Sequence, residues 1–330
     1  MVYPLRSSSG REVDGARMRL WLQNQGKDAP LVPRVRGSPD VCSRTTDRKD
    51  DGEKMKKQIA DLYDVFQYDA EPMMPTRWQA FDVANMPEAK MMEMLHVNLD
   101  FKLGHEDLPI YRDQIQPNLP WADDHFEERV CGYPINPGIE WKNWPWGSNA
   151  EKSLDRNGMF NHNYMERYWP KYAGWVEGPT HTVEDHLSGM EDHSLASSIG
   201  PNRGIRHNYG DLGGLVRSLV AEPDTRQAYL PVWFPEDTGD AHYGRKPCTL
   251  GYHFIMRNNK LDVVYYLRSC DFAHHFRDDM YLTVRLLLWI LERARKRNVA
   301  WEMVKPGRMI VQITSLHMFI NDFRRLYGTL

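Results

Sequence analysis

The stretch from Arg226 to Asp271, RQAYLPVWFPEDTGDAHYGRKPCTLGYHFIMRNNKLDVVYYLRSCD, decides the fold. Thr249–Met256 and Leu261–Arg268 are rich in aromatic and β-branched residues and read as strands. Asn258-Asn259 between them reads as a hairpin turn. Gln227–Trp233 reads as a further strand ahead of them. The same stretch sets one thiol, Cys248, between two arginines. Arg226 lies 22 residues before it and Arg268 20 residues after it. Arg245 and Lys246 precede the cysteine, and a cationic neighbourhood raises the thiolate fraction that a covalent nucleophile needs. Arginine forks bind phosphate through two parallel hydrogen bonds, so two of them on neighbouring strands suit one anion. Ser269 adds a hydroxyl for the same anion, and Asp271 a carboxylate suited to a heterocyclic N–H. Taken singly, each part has a plainer reading: an inert buried cysteine, surface ion pairs, a turn cap. His317 reads either as a contact to a sugar hydroxyl or as a core histidine.

Outward from this stretch, Asp211–Val220 reads as a helix after a tight turn, and Asp279–Arg297 as the clearest helix. In the latter, Val284, Leu287, Leu288 and Leu291 recur at i, i+3, i+4 and i+7, and the last turn is cationic. Residues 36–60 are polar and predict a surface loop or insertion running into a helix near Lys54–Phe66. Residues 88–99 fit helix or strand. Pro109–Gly147, rich in Pro, Trp and Asn, predicts long ordered loops packed by aromatics. Residues 174–204 predict an exposed loop, and Ala16–Leu22 a strand-like segment after a Ser7–Gly10 turn.

The chain has 330 residues and a net charge of −3, too small to argue for a nucleic-acid or membrane partner. Four cysteines form no C-x-x-C pair, which favours a reducing cytoplasmic compartment. The first residues carry no apolar core of a secretory signal, and no apolar run is long enough to span a membrane. His242, His253, His274 and His275, with Asp278 and Asp279, match no ligand spacing, so no metal is expected. Walker, dinucleotide-binding and nucleophile-elbow motifs are absent.

As a set, these pieces resemble the thymidylate synthase family, which includes the phage deoxypyrimidine hydroxymethylases. The resemblance covers roughly residues 204–325. It rests on Arg226, Trp233 and Pro235; on Pro247-Cys248; on Arg268-Ser269-Cys270-Asp271; on Phe276 and Tyr281; on Pro306-Gly307; and on His317 with Phe319. It implies an α/β (α+β) thymidylate synthase-like fold, with a large mixed sheet flanked by helices. The chain would be one domain over 1–330, with 36–120 a divergent elaboration and 204–330 the catalytic core segment. It implies that Cys248 adds to C6 of a deoxypyrimidine 5′-monophosphate, whose C5 then attacks the methylene group of 5,10-methylenetetrahydrofolate. Arg226, Arg268, Ser269 and Arg11 would hold the phosphate, with Arg226 acting within its own subunit or across a homodimer interface. Asp271 would bind or organise the pterin, and His317 and Phe319 would meet the sugar. Tyr209 would aid loss of the C5 proton, and Glu127 would order water.

The chain departs from the family where a base-reading asparagine is usual, carrying Arg277, Asp278 and Asp279 instead. An ionised carboxylate only accepts hydrogen bonds and suits the amino group of cytosine with a protonated N3. An arginine donates, and suits O4 of uracil. Cytosine and uracil both stay open at this point. Thr249 stands where a histidine usually follows the cysteine, Gln227 where a second arginine is usual, and Phe319 where a tyrosine is. Hydroxymethylation of dCMP or dUMP is the expected activity. Thymidylate synthesis proper is the alternative, and an inactive nucleotide-binding homologue is the alternative of another class.

Overall fold

The computed structural model describes residues 5–6, 12–13, 45–72, 91–132, 134–154, 158–160, 162–170, 209–238 and 246–328. Arg11, Ala16–Leu22, His242, Arg245 and residues 174–204, all singled out above, lie outside the described residues.

The hairpin inside the quoted stretch forms as its pattern requires. β6 (Thr249–Arg257) pairs antiparallel with β7 (Lys260–Leu267), with Arg257 opposite Lys260. Asn258 and Asn259 both hold positive φ, 52° and 54°. Asparagine tolerates that region well, and a two-residue turn left-handed at both positions matches the twist of the strands it joins. Along β7, Leu261, Val263, Tyr265 and Leu267 are buried while the residues between them are not, so one face is turned to the core. In β6, Gly251 sits where an added Cβ would meet the Leu230 carbonyl at 2.6 Å, so only glycine allows the neighbouring chain this close.

β9 (Lys305–Phe319) runs parallel to β7, setting Met309, Val311 and Ile313 beside Val263, Tyr265 and Leu267. A parallel neighbour requires a crossover. α7 (Phe276–Arg297) provides it, starting three residues earlier than the apolar period alone predicts. On the other side of β9 lies β4 (Met91–Lys102), paired antiparallel from Met91 opposite Phe319 to Lys102 opposite Arg308. Of the residues 88–99, the described ones, 91–99, are strand. β3 (Glu71–Pro72) and β5 (Tyr229–Pro231) form the two edges, and β8 (Cys270–Asp271) joins the end of β9. The result is a mixed seven-stranded sheet, with six strands in the order β3-β4-β9-β7-β6-β5 and β8 off that path. β1 (Leu5–Arg6) and β2 (Glu12–Val13) pair separately.

Two expectations need correction. The loop expected over 36–60 ends early, because α1 (Thr45–Asp69) begins inside it; further along, β4 joins the sheet. Met55, Ile59, Leu62 and Phe66 form a single buried stripe on α1, and Phe66 stacks on Phe272 at 5.0 Å. The segment Pro109–Gly147 is not simply loop. It contains α2 (Leu108–Ile115) and α3 (Trp121–Val130), and α4 (Gly147–Glu151) begins at its end. Proline is tolerated in a first helical turn, where its missing N–H has no partner to lose. Pro109 therefore opens α2, and Pro120 stands just before α3. α5 (Tyr164–Tyr168), α6 (Leu212–Ala221, capped by Asp211 accepting from Gly214 N) and α8 (Ile320–Tyr327) complete the helices used below. The whole is a mixed sheet flanked by helices, of the α+β class. Among the described residues, no helix is long and apolar enough to cross a membrane.

Candidate functional site

Cys248 stands immediately before β6, half-buried against the core and in no disulfide. Its loop is held by Arg268. The Arg268 backbone N–H donates to the Cys248 carbonyl at 3.0 Å. Its guanidinium donates to the carbonyls of Pro247 (Nε, 2.8 Å) and Lys246 (Nη2, 3.0 Å) and lies 5.7 Å from the Trp233 ring centre.

The next residue, Thr249, is fully buried, and its hydroxyl lies 2.8 Å from both Tyr164 Oη and Tyr265 Oη. Tyr265 in turn stacks on Tyr252 at 4.6 Å. Tyr164 comes from α5, whose N-cap Asn163 accepts from Glu166 N. Over its ring, 4.0 Å from the centre, lies the buried guanidinium of Arg129 on α3. Arg129 Nε donates to His125 Nε2 at 2.9 Å, so the proton of a neutral His125 sits on Nδ1, 3.3 Å from Glu128 Oε2. Burial, and secondarily the charge of Arg129, holds His125 well below the ordinary histidine range. Glu128 Oε1 accepts from the N–H groups of Ile139 and Glu140. Gly138, at φ +83°, lets that turn pass close to the carboxylate, because an added Cβ would lie 3.0 Å from Glu128 Oε1 and 2.8 Å from Met165 Cε. Burial outweighs these bonds and raises Glu128 above the usual carboxylate range. Five linked groups thus run from Glu128 through His125, Arg129 and Tyr164 to Thr249 beside the thiol.

The first turn of α7 distributes Arg277, Asp278 and Asp279 in three directions, because successive helical residues are about 100° apart. Arg277 turns to α1 and the end of α2, bonding Tyr63 Oη (3.2 Å) and Gln116 Oε1 (2.9 Å). Asp278 accepts from Asn118 N (2.8 Å) and Nδ2 (2.9 Å) and anchors the chain before α3. Asp279 is the inward member. It lies 3.8 Å from Cys270 Sγ, and its charge acts on Arg129, Tyr164 and Tyr265. Burial raises its carboxyl to about 7, against the pull of Arg129. Burial also pushes the Cys270 thiol well up, aided by the charge of Asp279.

At the far end, Asp271 on β8 is opposite His317 on β9. Its carboxylate accepts from Ala273 N, His274 N and His274 Nδ1 (2.9 Å). Burial opposes the charge, but His274 more than offsets it, leaving Asp271 below its ordinary value. Burial alone would lower His274. Its bonds to Asp271 and to Asp322 of α8 instead raise it to about 9. Trp146 lies against His274 (ring centres 4.0 Å apart) and Trp144 against His275 (4.7 Å). His317 Nδ1 lies 3.3 Å from Ser269 Oγ, and burial lowers its pKa.

Cys248, Arg268, Ser269, Asp271, Asp279 and His317 therefore lie on adjoining elements of one sheet end and the α7 start. Phe319 stands edge-on to His317 at 6.1 Å. Arg226 is exposed just ahead of the edge strand β5, its carbonyl bonded to His253 Nε2. Two further expected residues have these surroundings. Glu127 is exposed and paired with Arg285 at 2.6 Å, since one step along α3 turns it away from the buried Glu128. Tyr209 packs edge-on against Phe234 at 5.1 Å. Tyr164, Glu128 and Arg129 are additional residues that the sequence reading did not single out. A signal existed for Arg129, because Ala122, Phe126 and Arg129 recur at i, i+4 and i+7, placing a cation on the apolar face of α3. Among the described residues, no group of three or more His, Cys, Asp or Glu is gathered to hold a metal ion. No model of a known protein family matches the chain, and no curated protein matches it.

Proposed function

We propose that the protein transfers a one-carbon unit from 5,10-methylenetetrahydrofolate to C5 of deoxycytidine 5′-monophosphate, giving the 5-hydroxymethyl product, through a covalent adduct at Cys248. The observation that carries this reading is Asp279. Of the three residues that could read the base, it is the one turned into the polar cluster beside Cys248 and Tyr164. A carboxyl group with a pKa of about 7 suits the amidine edge of cytosine. Its protonated form donates to N3 while its second oxygen accepts from the amino group. Uracil presents N3–H and O4 there, and once the carboxyl ionises O4 has no donor, whereas cytosine can carry the shared proton on N3 itself.

The chain's own residues then divide the work. Cys248 forms the S–C6 bond. The electron pair of the C5=C6 bond is drawn toward the N3 edge, where the Asp279 proton can neutralise the developing charge. C5 becomes the nucleophile. Tyr164, whose hydroxyl is bonded to Thr249 next to Cys248 in the chain and is kept protonated by burial, would accept a hydrogen bond from the water that takes the C5 proton to solvent. Glu128, His125 and Arg129 support Tyr164 from behind. Arg268, already fixing the Cys248 loop, would present its remaining edge to the 5′-phosphate beside Ser269, with Arg226 serving the site of a partner subunit in a homodimer. His317 would meet the sugar. Bound methylenetetrahydrofolate would supply the carbon at the formaldehyde oxidation level and leave as tetrahydrofolate; water would add to the methylene left on C5, and the S–C6 bond would break to free Cys248. Trp144 and Trp146 offer rings for its pterin to stack on, and Asp271, held by three donors, would act on it together with His274.

The test is direct. The purified protein is given methylenetetrahydrofolate with dCMP or dUMP, and the nucleotide product is identified by mass. 5-Hydroxymethyl-dCMP is expected, lost in Cys248→Ala. Production of dihydrofolate and a methylated nucleotide would instead make it a synthase. A protein that binds nucleotide but forms no covalent adduct with a 5-fluorinated analogue would be an inactive homologue.

A further inference from the structure

Three hydroxyl groups, those of Tyr164, Thr249 and Tyr265, form a chain with 2.8 Å at each step, and its middle member is fully buried directly after Cys248. A tyrosine hydroxyl has one hydrogen, so Tyr164 either donates to Thr249 and shows a bare lone pair to the site, or accepts from Thr249 and shows its hydrogen. Threonine both donates and accepts, and so supports either direction. A buried side chain without a hydroxyl supports neither. The outer end of the chain is held in place. Tyr265 is stacked on Tyr252 with the planes 8° apart, and Tyr164 lies under the guanidinium of Arg129. Neither ring has room to swing, which leaves the direction of the hydroxyl hydrogens as the remaining freedom.

We infer that Thr249 is a positioning residue for the C5 step: it sets the direction of the Tyr164 hydroxyl so that this oxygen accepts a hydrogen bond from the water that takes the C5 proton away to solvent. This rests on the proposed chemistry at Cys248, and it adds a residue that touches neither base nor folate. Cys248 attack does not need it, because the loop that carries the thiol is held separately by Arg268 through the Lys246 and Pro247 carbonyls. The two steps should therefore come apart.

The experiment compares the full-length wild type with Thr249→Val, Thr249→Ser and Tyr265→Phe. The first readout is covalent adduct formation with a 5-fluorinated deoxycytidylate and methylenetetrahydrofolate, followed by mass. Fluorine cannot leave as a proton, so this reports thiol attack and carbon transfer alone. The second is release of tritium from [5-³H]-dCMP, without folate and with it. Thr249→Val should form the adduct within about threefold of the wild-type rate while tritium release falls by about 10²-fold, the scale of lost acid–base assistance. Thr249→Ser should restore release to within a few-fold. The deuterium isotope effect at C5 should grow in Thr249→Val and return to the wild-type value in Thr249→Ser. Equal loss of both readouts in Thr249→Val, with Thr249→Ser no better, would make the residue a packing element and overturn the inference. If Thr249→Val does not fold, Tyr265→Phe carries the same comparison, because it removes the outer hydroxyl and keeps the ring. Failure of the wild type to form any adduct would refute the proposed function itself, an outcome distinct from a variant that forms the adduct and releases tritium at the wild-type rate.

Discussion

Asp279 concentrates the question of which base the site accepts. With its pKa raised to about 7, it is largely protonated below that pH and ionised above it. If the protonated form serves N3 of cytosine, kcat/KM for dCMP should fall as pH rises through about 7, and Asp279→Asn should lose that limb. The amide of asparagine can donate to O4 and accept from N3–H, so the same variant should turn preference toward dUMP, shifting the ratio of the two kcat/KM values by about 10²- to 10⁴-fold. Rate profiles on both nucleotides would check this, and an unchanged ratio would remove Asp279 from base recognition. The sequence places a carboxylate near this position but cannot say which one. Arg277, Asp278 and Asp279 share one helical turn, and shifting the first helical residue by one rotates all three by about 100°. Only the observed start of α7 at Phe276 separates them. Tyr164 was hidden for a related reason, since a five-residue helix is too short to show a period.

Elements carrying the site are tied together by buried polar locks as well as by apolar packing. The clearest joins α5, which carries Tyr164, to the turn after β5. Arg167 and Asp237 are fully buried and meet through two bonds of 2.7 and 3.0 Å. Asp237 also accepts from Phe234 N, and the guanidinium lies 4.5 Å over the Phe234 ring. Removing one partner leaves a bare charge in the core. Arg167→Met or Asp237→Leu alone should therefore cost about 3–5 kcal/mol, while the two together should recover much of that loss. Urea unfolding of the four proteins measures this coupling, and simple additivity would show that the pair is not a unit. At this scale the sequence was uneven. The β6–β7 hairpin was legible because alternation and Asn-Asn agree. α2 and α3 were not, because prolines at their starts and a dense set of tryptophans masked two short helices. The part of α1 that carries the apolar stripe was legible near Lys54–Phe66, while its start at Thr45 was hidden in a polar, charged run.

At the scale of the whole molecule, the sheet has two unlike faces. One carries Leu261, Val263, Tyr265, Met309 and Val311 into the core. The other, by register, carries Ile255, Val264, Tyr266 and Ile310, all only half-buried, with Tyr229 exposed at the β5 edge. Asp100 and Arg308 form an ion pair on that same face. A half-apolar face bounded by charge is suited to self-association about a two-fold axis, where each patch meets its own copy. Arg226 is exposed just before β5 at the margin of this face, so in the proposed homodimer it would have a second site to reach. Two inactive variants decide whether it does. Cys248→Ala keeps Arg226, and Arg226→Ala keeps the thiol. If Arg226 serves its own subunit, refolding the two together restores nothing, because no subunit has both groups. If it crosses the interface, half of the dimers formed at random are mixed and each has one complete site, so about a quarter of wild-type turnover should return. Val264→Arg, placed in both chains at the centre of the face, should then abolish the recovery and lower the mass seen by light scattering from dimer to monomer. Recovered activity in a monomeric mixture would contradict the shared site.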